Sequence, residues 1–206
     1  MIPENNEMFD AVGITRWHEA GYTGSRCKAV TYERFTPSKY DTGETVVLWP
    51  ERYPVSANSH GVSTAKAFHQ VAPDCVLYEA GNLNHKSLIV PWIIENRPCV
   101  GFRSLDDDEN GIDADYKDTL SFCSLFNSAG NDWAYSYAEM IDQECWFGVG
   151  AVTYADGVFT PAYYSSEAES VDFCGLTNVY LPTSSAPFPF GGTSCSAPIL
   201  AGMAAL

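Results

Sequence analysis

The sequence has few basic residues and no long apolar run, and both absences narrow the classes of function. Only 11 of its 206 residues are Lys or Arg, against 26 Asp or Glu, which gives a net charge of −15. A protein with this charge repels nucleic-acid phosphates and anionic lipid headgroups, whereas it attracts cations and basic peptides. No stretch of about 18 apolar residues is present, so no transmembrane helix is predicted. We therefore expect neither nucleic acid nor membrane as a partner.

Short cysteine spacings and a leader segment are also missing. The seven cysteines are scattered, and no two of them have the spacing that is typical of zinc and redox sites. The first residues show no basic region followed by an apolar segment, so no signal peptide is visible. We therefore expect mostly buried thiols in a reducing cytoplasm. A secreted protein from which a leader or pro-segment has been removed is the alternative.

The apolar content is sufficient for one domain that spans residues 1–206. Hydrophobic residues make up 46% of the sequence and aromatic residues 14%, which allows a substantial core. Strand candidates at residues 27–32, 99–105 and 120–126 are interspersed with helix candidates such as residues 88–96. This alternation predicts an α/β fold with a doubly wound, mainly parallel sheet and helices on both faces.

A glycine-rich turn near the end of the chain carries the strongest chemical signal. Residues 191–198 read Gly-Gly-Thr-Ser-Cys-Ser-Ala-Pro, and the apolar residues that follow predict a helix with Pro198 in its first turn. Ser194 would then lie at a helix N-terminus, where backbone N–H groups and the helix dipole favour a developing oxyanion. An ordinary N-cap serine is the alternative for this stretch taken alone.

Three further polar residues stand at predicted element ends. Glu33 follows the first strand, His60 opens a helix predicted at residues 58–68, and Asn131 follows the strand at 120–126 within Ser-Ala-Gly-Asn. His69 falls in the turn after the helix, where we expect it to be solvated.

Together these segments resemble the subtilisin-like serine peptidases. The family's Gly-Thr-Ser-x-Ala-x-Pro motif matches residues 192–198, with Ser196 in place of alanine, and its His-Gly-Thr-x-Val-Ala helix resembles the segment that starts at His60. Its Ala-Ala-Gly-Asn segment is similar to the one that ends at Asn131. Its Ala-x-Phe-Ser and Val-Asp-x-x-Ala-Pro-Gly segments follow at residues 162–165 and from Val171 onward. The resemblance extends from Trp17 to Leu206.

The resemblance implies a serine endopeptidase that hydrolyses peptide bonds in a protein or peptide substrate. In this role Ser194 would attack the peptide carbonyl and His60 would be the general base. Glu33 would orient the imidazole, and Asn131 would donate to the oxyanion together with the backbone N–H of Ser194. The order of carboxylate, histidine and serine along the chain is the subtilisin order.

The carboxylate position departs from the family pattern. Glu33-Arg34-Phe35 stands where the family has Asp-Thr/Ser-Gly, and the literal Asp41-Thr42-Gly43 follows a segment without a buried-strand pattern. We expect Glu33 to be the acid, with Asp41 as the alternative. Because of this departure, a catalytically impaired subtilase-like binding or scaffolding module is the alternative function. A hydrolase or redox protein that uses Cys195 is disfavoured, since Cys195 follows the serine and does not replace it.

Two more expectations concern cations and self-association. Residues 106–115 are strongly acidic and begin like a calcium-binding EF-hand loop, but Lys117 occupies the position of the required glutamate. We expect a solvated loop that favours basic substrates. We expect no cofactor, and bound calcium is the alternative. If the chain ends natively at Leu206, the apolar surface of Val152, Phe173 and residues 201–206 needs cover. We therefore expect a homo-oligomer.

Overall fold

The computed structural model describes most of the chain. The described residues are 3–33, 35–37, 43–50, 59–81, 86–104, 122–132, 146–167, 171–182 and 187–206. Asp41 and the acidic run at 106–115 lie outside these ranges, so the predictions made for them stay predictions.

Ten strands and five α-helices are described. In chain order they are a 3₁₀ turn at Pro3–Asn5, α1 (Asn6–Ala11), α2 (Ile14–Glu19), β1 (Lys28–Thr31), β2 (Thr45–Val47), α3 (Ser59–Val71), β3 (Val76–Glu79), α4 (Lys86–Asn96), β4 (Val100–Arg103), β5 (Ser124–Ser128), β6 (Phe147–Ala155), β7 (Val158–Pro161), β8 (Val171–Leu176), β9 (Val179–Leu181), β10 (Phe188–Phe190) and α5 (Thr193–Ala205).

Eight of the strands form one sheet, in the order β2-β3-β1-β4-β5-β6-β7, with β8 also pairing with β6. All the pairs are parallel except β6 with β7, which form an antiparallel hairpin. Strands β9 and β10 form a separate antiparallel pair. The predicted α/β fold with a mainly parallel sheet is therefore confirmed.

Both faces of the sheet are covered by helices, as predicted. Successive residues of a central strand point to opposite faces, so neighbours in β1 pack against different helices. In β1, Ala29 packs in the cluster that contains residues of α3 and α5, whereas Val30 packs in the cluster that contains Ile89 and Ile93 of α4. A third cluster joins α1 and α2 to the outer side of α3 and α5. Helix α5 thus lies between the sheet and the N-terminal helices.

Helix α5 is held close to α3 by a glycine. A Cβ atom on Gly202 would lie 2.7 Å from the Cβ of Val71 and 3.1 Å from the carbonyl oxygen of Phe68, so only glycine permits this approach. Since α5 begins at Thr193, Pro198 is its sixth residue. The prediction that Pro198 lies in the first turn is therefore wrong.

The structure also corrects two predictions about burial. His69 lies in α3 with only 8% of its surface exposed, and its Nε2 is 3.0 Å from the carbonyl oxygen of Cys75. It is therefore not solvated. Of the apolar surface expected to need cover, Ala201 and Ala205 are buried within the chain itself, whereas Phe173 and Ala204 are exposed. Self-association stays a prediction.

The expectation of mostly buried thiols is correct for part of the set. Cys75, Cys123 and Cys195 are buried free thiols, and Cys174 is an exposed one. Cys27 and Cys99 are instead joined by a disulfide, which links the amino ends of β1 and β4. Among the described helices, none is both long and apolar enough to cross a membrane.

Candidate active site

The candidate residues gather where three neighbouring strands end. Glu33 lies two residues after β1, Ser104 directly after β4, and Asn131 three residues after β5, and these strands are adjacent in the order β1-β4-β5. Because all three run parallel, their carboxyl ends lie at one edge of the sheet. This edge is where open α/β sheets usually bind their ligands.

The carboxylate of Glu33 is fully buried and is held by two donors. Its Oε1 accepts a hydrogen bond from the backbone N–H of Ser104 over 2.8 Å, and its Oε2 lies 3.2 Å from Nδ1 of His60. A buried carboxylate is costly unless it is hydrogen-bonded. The two contacts satisfy both oxygens and fix the direction in which the carboxylate faces His60.

His60 is the second residue of α3 and spans the boundary between core and solvent. Its side chain is 33% exposed, whereas that of Glu33 is fully buried. With Glu33 ionised, Nδ1 is the nitrogen that donates, because a carboxylate only accepts. Nε2 of the neutral imidazole is then left as a proton acceptor. The ring also meets Phe190 edge-on, with the ring centres 6.0 Å apart.

Ser194 is held at the start of α5 by two hydrogen bonds to Ser104. The Ser194 hydroxyl donates to the Ser104 carbonyl over 3.3 Å, and the Ser104 hydroxyl donates to the Ser194 carbonyl over 3.1 Å. Within a helix, the Ser194 carbonyl would normally accept from the N–H four residues later, which is Pro198. Because proline has no N–H, the carbonyl is open to Ser104.

Asn131 is bound to the same turn through its side-chain oxygen. Its Oδ1 accepts from the backbone N–H of Thr193 over 2.9 Å and from the Thr193 hydroxyl over 3.2 Å. The Thr193 hydroxyl in turn accepts from the backbone N–H of Gly130 over 3.2 Å. With the oxygen fixed in this way, the amide nitrogen of Asn131 is on the side of the group that faces away from Thr193.

Gly192 has a conformation and surroundings that require glycine. Its φ is +81°, in the left-handed region that side chains rarely adopt. A Cβ atom there would also lie 3.2 Å from Oδ1 of Asn131. The turn before Ser194 is therefore closely fitted to the residue predicted to form the oxyanion hole.

The free cysteines and the surface pocket are separate from this arrangement. Cys195 is fully buried, and this burial raises the pKa of its thiol to about 12, so it stays protonated and does not act as a nucleophile at neutral pH. Within the described ranges, no group of three His, Cys, Asp or Glu could hold a metal ion. A pocket of about 470 Å³ lies beside Cys27, Cys99 and Leu206, at the opposite end of β1 from Glu33.

The structure brings the sequence-predicted residues into one neighbourhood. Glu33 contacts His60, Asn131 contacts the residue before Ser194, and the backbone of Ser104 joins Glu33 to Ser194. The linking roles of Ser104 and Thr193 were not predicted. The proline four residues after Ser194 is the one sequence signal for the Ser104 contact, because it leaves a helix carbonyl that needs a donor.

Known proteins resemble this chain in their three-dimensional structure. No family model and no curated protein sequence matches the chain. Solved structures do match: MycP1 from the ESX-1 type VII secretion system has a TM-score of 0.69 at 15% identity, covering 98% of this chain and 73% of that one. The PatG macrocyclase in complex with peptide has a TM-score of 0.67 at 14% identity, covering 94% and 79%.

A third match carries the family name in its description. Fervidolysin from Fervidobacterium pennivorans, a keratinolytic enzyme related to subtilisin, has a TM-score of 0.67 at 15% identity. The match covers 96% of this chain and 38% of fervidolysin. Likeness at such low identity bears on the fold and not on the chemistry. The chain therefore has the fold of the subtilisin-like proteases.

Proposed function

We propose that this chain is a serine peptidase in which Ser194 is the nucleophile, His60 the general base and Glu33 the residue that orients His60. The observation that carries the proposal is the contact between Glu33 and His60, joined to Ser194 through the backbone of Ser104. The proposal is supported by these contacts at one edge of the sheet, and by a fold that is shared with fervidolysin, a keratinolytic enzyme related to subtilisin.

In the first step Ser194 attacks the carbonyl carbon of a peptide bond. Its hydroxyl exchanges the hydrogen bond to the Ser104 carbonyl for one to Nε2 of His60, which takes the proton as the C–O bond forms. The buried Glu33 carboxylate keeps the other imidazole proton on Nδ1 and stabilises the imidazolium. The carbonyl oxygen becomes an oxyanion, which accepts from the Asn131 amide and from the backbone N–H of Ser194.

The second half of the reaction releases both products. His60 gives its proton to the leaving amine as the C–N bond breaks, which leaves an acyl group on Ser194. A water molecule then attacks this ester while His60 takes one of its protons. The acid product leaves, and the proton returns to the Ser194 oxygen, so the enzyme is regenerated.

A peptide substrate agrees with the surroundings of the site. The net charge of −15 favours basic segments over acidic ones, and the imidazole of His60 is partly exposed beside Phe190. A solved relative, the PatG macrocyclase, is described in complex with peptide. A substrate with Lys or Arg near the scissile bond is therefore the first to test.

Labelling with a fluorophosphonate tests the proposal directly. The folded protein should react once, at Ser194, and Ser194→Ala should abolish both the labelling and the hydrolysis of a basic fluorogenic peptide. Ser196→Ala is the matched control, because Ser196 is buried in the same helix and lies outside the machinery. It should react like the unmodified chain.

Failure to react has a definite meaning. If the folded protein neither labels nor cleaves peptides while its melting transition is cooperative, the chain is not a peptidase. A subtilase-like binding module, motivated by the glutamate at the acid position, is then the better description. Binding of basic peptides without cleavage, measured by calorimetry, would support that alternative.

A further inference from the structure

Gly192, two residues before Ser194, has both of its backbone polar groups bound by side-chain hydroxyls. Its N–H donates to the Tyr164 hydroxyl over 3.0 Å, and its carbonyl accepts from the Thr177 hydroxyl over 3.1 Å. The two hydroxyl oxygens are 2.8 Å apart. Three hydrogen bonds therefore close a ring through Gly192, Tyr164 and Thr177.

The direction of each bond in this ring follows from counting protons. A hydroxyl carries one proton, and that of Thr177 goes to the Gly192 carbonyl. The Thr177 oxygen must then accept from Tyr164, whose own oxygen accepts from the Gly192 N–H. Each of the three members donates once and accepts once within the ring. Removal of either hydroxyl therefore interrupts the whole ring.

The segment that contains Tyr164 also binds the loop that carries Asn131. The backbone N–H of Ser166 donates to the Gly130 carbonyl over 3.1 Å, and Gly130 precedes Asn131. Residues 164–166 thus hold the turn before the nucleophile on one side and the residue before the oxyanion donor on the other. Thr177 is itself fully buried and continues the pairing of β8, with its N–H bonded to the Val152 carbonyl.

From this juxtaposition we infer that Tyr164 and Thr177 are positioning residues for the peptidase site, an inference that rests on the proposed function. The ring holds the Gly192 peptide groups so that the Ser194 hydroxyl and the Asn131 amide face the same substrate carbonyl. In the resemblance described above, Tyr164 and Thr177 stand where the subtilase segments have Phe and Gly, neither of which has a hydroxyl.

Kinetics of single and double variants test the inference. Tyr164→Phe and Thr177→Val should each lower kcat for peptide hydrolysis about tenfold or more, with KM nearly unchanged, because a small misplacement of reacting groups is costly. The double variant should lose no more than the worse single variant, since one break already opens the ring. Thr177→Ser keeps the hydroxyl and should restore most of kcat.

The matched control is Tyr163→Phe, which removes the same hydroxyl from a neighbour that is 80% exposed and outside the ring. It should leave kcat unchanged. If Tyr164→Phe and Thr177→Val lower the melting temperature but not kcat of the folded protein, or raise KM alone, the positioning role is wrong. An unmodified protein that never labels overturns the proposed function itself, whereas an active one with unaffected ring variants overturns only this inference.

Discussion

Oε2 of Glu33 lies 3.2 Å from Nδ1 of His60, although a glutamate is one methylene longer than the aspartate with which the subtilase resemblance aligns it. The contact forms because Glu33 lies beyond the end of β1, and the N–H of Ser104 draws its other oxygen towards β4. The side chain is therefore fitted into a buried site and is not merely tolerated there.

Replacement of Glu33 gives the sharpest test of the proposed triad. Glu33→Gln should lower kcat about 10⁴-fold, because the amide can donate to Nδ1 and so favours the wrong imidazole tautomer. Glu33→Asp should also be impaired, since the shorter side chain no longer spans from Ser104 to His60. Asp41→Asn should have little effect. A large loss from Asp41→Asn and none from Glu33→Gln, in folded proteins, would assign the acid role to Asp41.

Substitutions of Asn131 should distinguish the role of its amide nitrogen, the proposed oxyanion donor, from that of its side-chain oxygen, which binds Thr193. Asn131→Ala should lower kcat about 10²- to 10³-fold through the lost oxyanion donor. Asn131→Asp keeps an oxygen to accept from Thr193 but replaces the amide with a negative charge, so its kcat should be at least as low. Asp132→Asn, at the exposed neighbouring position, is the control. Full kcat in Asn131→Asp, measured on folded protein, would contradict the assignment.

Alanine substitutions at two glycines with nearly the same φ should distinguish backbone strain from crowding by an added Cβ atom. Gly192 and Gly157 have φ near +80°, but a Cβ on Gly192 would crowd Asn131, whereas one on Gly157 meets nothing within 4 Å. Alanine should therefore destabilise the fold by about 1–3 kcal/mol at either position through backbone strain. Only Gly192→Ala should also lower kcat. Equal kcat in the two variants, with unfolding followed by denaturant, would show that the crowding is harmless.

The buried His69 should make stability depend on pH. Burial lowers the pKa of His69 from its ordinary value of 6.5, and the hydrogen bond to Cys75 opposes this only in part. Below pH 6.5 the unfolded chain takes up a proton that the folded chain resists, so stability should be full above this pH and fall as the pH decreases. His69→Gln should reduce this dependence in denaturant unfolding between pH 5 and 8. An identical pH profile for the variant would contradict the prediction.

The fold could be predicted, and candidate residues for the site could be named, because their signals are local. The helix at His60, the turn before Ser194 and the apolar central strands each have a pattern within a few residues. Long-range bonds were not visible in the same way. The strand predicted at 120–126 ends two residues too early, because Asn127 and Ser128 are polar by type yet pair with β6 and are buried. Nothing near Tyr164 in the sequence indicates its bond to Gly192.

The whole fold depends on helix α5 staying packed in the core. Nine of its thirteen residues are buried, and they contact the sheet on one side and α1, α2 and α3 on the other. Ser194, the proposed nucleophile, lies in the first turn of this helix, and the helix cannot detach without exposing the core. Activity on warming should thus persist until the whole domain melts, and slow amide exchange at Ile199 and Ala201, which are fully buried in this helix, should report the opening of the entire protein.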